Sequence, residues 1–119
     1  PHMSLIRVNI RTGALFETYV ITELLKQRFN AGQPRDLYFW RDSTGHEVDV
    51  LIETAQGLQA VEIKSGSTFA SDWTSGVKKW KQFAGDEAIQ PSLVYGGTAS
   101  YARNGVQVWG WRDVDRIGI

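Results

Sequence analysis

Three residues could do chemistry together: Asp49, Glu62 and Lys64. Glu62 and Lys64 stand two apart, so on an extended strand they point to one face, about 7 Å apart at the Cα atoms. Asp49 lies one turn upstream. If the register brings it opposite Glu62, two carboxylates and an ammonium meet at one end of a hairpin among apolar neighbours. Ionised groups are costly to bury unless they are paired or bound to metal. Two carboxylates within a few ångström repel each other, and a hard divalent cation is the usual remedy.

The element that must position them is Gly45–Lys64. Both halves alternate apolar and polar residues, with a turn at Thr54–Gly57, which predicts a β-hairpin. Strict alternation puts Val48, Val50 and Ile52 on one face and Asp49 and Leu51 on the other, with Glu47 beside Asp49. Leu37–Arg41 reads as a preceding aromatic strand and Asp42–Gly45 as the turn between them, so the three strands form a meander. His46 in that turn reads as a surface residue, since a lone histidine carries no ligand set.

Helices flank the meander. Thr12 is a candidate cap for a helix over Gly13–Gln27, in which Phe16, Val20 and Leu24 recur every four residues. Glu17 sits at the margin of that stripe and Glu23 on a solvated arc. A second helix is expected over Asp72–Ala84, with Trp73, Val77, Trp80 and Ala84 as its core stripe. Lys78, Lys79, Lys81 and Gln82 project elsewhere, as a solvated face or as phosphate contacts. Gln90–Tyr95 and Val106–Trp111 read as further strands, the latter as the sheet edge, and Trp111–Val114 closes the domain. The order α-β-β-β-α-β predicts an α/β fold, a central mixed sheet flanked by helices.

The Asp49…Glu62-Ile63-Lys64 pattern resembles the signature of the PD-(D/E)XK nuclease superfamily. Gly13–Glu17, Leu37–Arg41, Glu47–Asp49 and Val94–Gly97 look like the uncharacterised nuclease-like domain at the C-terminus of many prokaryotic AAA-type ATPases, a resemblance running from about Thr12 to Val114. It implies a restriction-endonuclease-like core and metal-dependent phosphodiester hydrolysis of nucleic acid, DNA in the first place. Asp49, Glu62, the carbonyl of Ile63 and Glu17, at the place of a helix-borne carboxylate in related nucleases, would hold Mg²⁺ or Mn²⁺. Lys64 would orient the attacking water or offset charge in the transition state. Gln82 matches a glutamine that related nucleases often carry on this helix. The implied partners are nucleic acid and an N-terminal ATPase domain, and a homo-oligomer is compatible with both.

Composition bounds these readings. The 119 residues suit one domain, with Pro1–Met3 reading as the remnant of a cleaved tag, Ser4–Arg11 as the stub of a preceding domain, and residues 12–119 as the domain itself. The absence of cysteine excludes disulfides and thiolate metal sites and suits a reducing cytoplasm. No apolar run approaches the roughly 20 residues of a membrane span. No Walker-type Gly-Lys-Ser/Thr occurs, so ATP hydrolysis is not expected of this chain. Thirteen basic residues balance thirteen acidic ones, so binding to phosphates would need a local cluster or a tethered partner. That balance also keeps a second reading open, a non-catalytic docking or nucleic-acid-sensing module of an ATPase.

Overall fold

Apolar spacing decides which side of the sheet each helix covers. The computed structural model describes residues 2–5, 15–34 and 36–117. Helix α1 (Leu15–Asn30) buries Val20 and Leu24 of the expected stripe, together with Ile21, while Phe16 is half-buried. It runs past the expected end at Gln27. Arg28 accounts for the extra turn, because its buried guanidinium donates to the carbonyls of Pro34 (2.7 Å) and Glu53 (3.1 Å) and ties the helix end to the sheet. The expected cap Thr12 and start Gly13 lie outside the described residues.

The strands are β1 (His2–Leu5), β2 (Tyr38–Arg41), β3 (Glu47–Thr54), β4 (Gly57–Lys64), β5 (Ser92–Tyr95), β6 (Tyr101–Arg103) and β7 (Val106–Gly110). Among the described residues they form one sheet in the order β1-β2-β3-β4-β5-β7-β6. The first four pair antiparallel, β2 to β4 as a meander with β1 added beside β2; β4, β5 and β7 run parallel, and β6 is antiparallel to β7. The fold is therefore mixed α/β, with the mixed sheet flanked by helices. The backbone of His2–Leu5, within the segments read as tag remnant and stub, lies along β2. Helix α2 (Ser75–Ala84), preceded by a 3-10 turn at Ser71–Thr74, makes the crossover that a parallel β4–β5 pair requires. Val77 and Trp80 are buried, as the stripe requires, while Trp73 and Ala84 are half-buried at its margin.

Two apolar layers result. On one side Val20, Ile21 and Leu24 pack with Val50, Ile52, Val61 and Ile63, joined by Val114 and Ile117 from the last turn. On the other, Val77 and Trp80 pack with Trp40, Val48, Leu51 and Leu93.

Two expectations are corrected. Val106–Trp111 is not the edge: the strand ends at Gly110 and β6 pairs outside it. The β6–β7 loop is Asn104-Gly105, both with positive φ (51° and 81°), the conformation that two-residue hairpin loops demand. The second correction concerns β3. Val48 does not share a face with Val50 and Ile52; it packs in the α2 layer with Leu51. Trp40 pairs with Val48 whereas Tyr38 pairs with Leu51, so β3 carries one more residue than β2 over this stretch, a β-bulge around Asp49 and Val50.

Candidate functional site

The bulge is what frees Asp49. The β3–β4 ladder runs from Thr54↔Gly57 to Val50↔Val61 and goes no further. Beyond it, the Asp49 carboxylate takes the place of a main-chain partner: Ile63 N–H donates to Asp49 Oδ2 at 2.8 Å. One carboxylate oxygen is thereby fixed. In a strand the N–H and C=O of one residue face the same edge, so the Ile63 carbonyl also looks toward β3 and Asp49.

Glu62 stands on the α2 face of β4 and is 4% exposed. Helix α2 comes so close at Gly76 that an added Cβ would collide with the backbone carbonyl of Glu47 and lie 3.2 Å from Glu62 Oε2. Glycine at that position lets the first turn of the helix sit directly over the carboxyl group. Burial pushes the Glu62 pKa up to about 10, helped by hydrogen bonding and charge repulsion from Asp49. The Lys64 ammonium and the Ile63 N–H oppose the shift without cancelling it. With no further cation, Glu62 keeps its proton at neutral pH. Lys64, half-buried, follows on the same face, beside Tyr95 of β5.

Asp49, Glu62, Ile63 and Lys64 thus come together at the C-terminal end of β4. Glu17 lies exposed in the first turn of α1, the helix that covers the opposite face. Among the described residues no three His, Cys, Asp or Glu side chains gather into a metal-holding group. Glu47 shares an ion pair with Arg41 at 3.2 Å, and His46 hydrogen-bonds Asp42 and Thr44 within its turn. Glu23 is paired with Lys26 at 3.1 Å. Lys78, Lys79, Lys81 and Gln82 are all exposed on α2.

Sequence reasoning missed Gly76. Its signal was a glycine in the first turn of an otherwise good amphipathic helix, a position where glycine lowers helix stability and calls for a packing reason. The donor set is all oxygen: two carboxyl groups and a carbonyl, with one carboxyl short of a counter-charge. Such donors fit Mg²⁺ or Mn²⁺, and Mg²⁺ is commonly held by one or two carboxylates while it keeps several waters.

No helix among the described residues is long and apolar enough to cross a membrane. No curated protein matches the chain. A family model does match, over residues 12–114, which is most of the chain. The protein belongs to the family described as a domain of unknown function, DUF4143.

Proposed function

We propose that this domain hydrolyses phosphodiester bonds in nucleic acid, DNA first, with Mg²⁺ or Mn²⁺ held by Asp49, Glu62 and the Ile63 carbonyl. The supporting observation is the buried carboxyl of Glu62 beside Asp49, with Lys64 next on the same face. A bound cation would supply a water of lowered pKa and neutralise charge on the scissile phosphate. Asp49 is held in place by the Ile63 N–H, so its carboxylate is oriented before any ligand arrives. With a cation bound, Glu62 would release its proton to solvent and hold the ion as a carboxylate. Lys64 directs its ammonium to the attacking water or to the charge that develops on the phosphate. Glu17 is not required for this set, since two carboxylates suffice for Mg²⁺.

Charge argues that the isolated domain grips nucleic acid weakly, because no basic surplus exists and only Lys78, Lys79 and Lys81 form a cluster. As the C-terminal domain of a cytoplasmic ATPase it would borrow that grip from its partner. The same balance of charge favours a second reading, in which the domain docks or senses nucleic acid without cutting it.

The test is cleavage of plasmid, single-stranded and branched DNA at low salt with each metal, beside Lys64→Ala. Cleavage by the wild type and loss of at least about a hundredfold in the variant, at unchanged melting temperature, is the expected result, since a group acting in the transition state adds little to stability. Equal activity in both proteins identifies a contaminant. Millimolar Mg²⁺ or Mn²⁺ should also raise the melting temperature, and Asp49→Ala should remove the rise. No cleavage and no thermal response leaves the accessory reading.

A further inference from the structure

The parallel strands β4, β5 and β7 end side by side at Lys64, Tyr95 and Gly110. Open α/β sheets bind their ligands beyond the carboxyl ends of such strands. Just past these ends lies a cavity of about 350 Å³ lined by Phe16, Tyr19, Ser65, Gly96 and Trp111. Three of its five walls are aromatic, and none is acidic. Tyr19 and Trp111 meet edge to face, centroids 6.1 Å apart, and Tyr19 is 39% exposed. Trp111 is preset by its own backbone, whose N–H donates to Gly97 O at 3.1 Å. The exposed Arg112 holds its guanidinium 5.1 Å from the Trp111 ring centre. Ser65, on the wall, is the next residue after Lys64.

We propose that this cleft receives one unpaired base of a single-stranded nucleic acid, stacked on the Tyr19–Trp111 pair, with Arg112 toward the phosphate of the same strand. The base must be unpaired because a duplex keeps its base faces stacked and offers only edges and backbone. Aromatic rings with a neighbouring arginine are the usual platform for single strands, and they act without a large basic patch. That fits a chain of zero net charge. The proposal takes from the hydrolytic reading only that the strand passes Lys64, and it names single strands as the substrate class.

Binding is measured by fluorescence anisotropy with an oligothymidylate of about 12 nucleotides, within the range of single-strand site sizes, and with a duplex of equal length, in chelator. The single strand should bind more tightly than the duplex. Tyr19→Ser and Trp111→Leu should each weaken it by about 5- to 150-fold, the range for one lost stacked base, and leave duplex binding unchanged. If Trp111→Leu does not fold, the wild-type protein still decides: an oligomer of abasic nucleotides should lose affinity to a similar degree. Equal binding of abasic and intact strands, or of strand and duplex, overturns the subsite. Cleavage with Mg²⁺ that persists unchanged in Tyr19→Ser would leave hydrolysis standing while the subsite falls. Stacking-dependent binding without cleavage on any substrate would do the reverse.

Discussion

The two faces of the sheet are built to different rules. Against α1, Val20, Ile21 and Leu24 meet Val50, Ile52, Val61 and Ile63, and the buried charge on this helix, Arg28, lies at its far end, bonded to main-chain carbonyls. Against α2, Val77 and Trp80 close over a layer of similar bulk, yet the same helix also covers the Glu62 carboxyl. An apolar layer can be optimised for packing alone. One that shelters a protonated carboxylic acid gives up stability that hydrophobic residues would have supplied. The difference teaches where to look for function: on the face where burial and charge conflict.

The largest effect that can test this contrast is on packing. Trp80 is 1% exposed, and Trp80→Ala should cost about 3–5 kcal/mol in denaturant unfolding. Leu24→Ala, at the matching position in the α1 layer and fully buried, should cost about 2–5 kcal/mol. Similar costs would show that both layers carry the fold. A Trp80→Ala midpoint equal to wild type would mean that the α2 layer is open, and with it the shelter of Glu62.

Gly76→Ala comes next, at about 2–3 kcal/mol, because the new methyl meets the Glu47 carbonyl and the helix must lift. Lifting α2 should rehydrate Glu62, so the same variant should lose part of the Glu62 pKa shift. The measurement is the carboxyl titration followed by NMR, beside the melting curve. A fully folded Gly76→Ala with the Glu62 titration unchanged would break the link between the close approach and the buried acid.

Periodicity carried much of this architecture. The i, i+4 stripe of Phe16, Val20 and Leu24 and the stripe of Val77 and Trp80 each describe one face of one helix, and local sequence is enough to read them. Glu62 and Lys64 were legible for the same reason, since β4 alternates without interruption. Asp49 was legible as a residue but not as a geometry. Its bulge arises from how β3 pairs with β2 on one side and β4 on the other, and alternation along one strand carries no information about either partner. β6 is too short for any period, although Asn104-Gly105 announces its turn. Gly76 shows its purpose only when α2 is set down on the Glu47 carbonyl.

The smallest expected effect, taken per pH unit, is also the one that sharpens the comparison most. In the folded chain the Glu62 carboxyl titrates at about 10, against an ordinary value of 4.5 when unfolded. Between those two values the folded state holds one more proton than the unfolded state, so stability must fall as pH rises, by up to about 1.4 kcal/mol per pH unit. The contribution is complete below the unfolded value and is lost as pH rises through the folded one. Glu62→Gln keeps the shape and a hydrogen-bond donor toward Asp49 but removes the titration. In chelator its stability should stay level where that of the wild type falls, so the gap between them should widen by up to about 1.4 kcal/mol for each pH unit from about pH 5 to about pH 9. Melting temperatures of both proteins across that range give the answer. A gap that stays constant, or a wild type more stable throughout, would mean that Lys64 already holds Glu62 ionised. The α2 face would then shelter a plain ion pair, and its contrast with the α1 face would lose its chemical meaning.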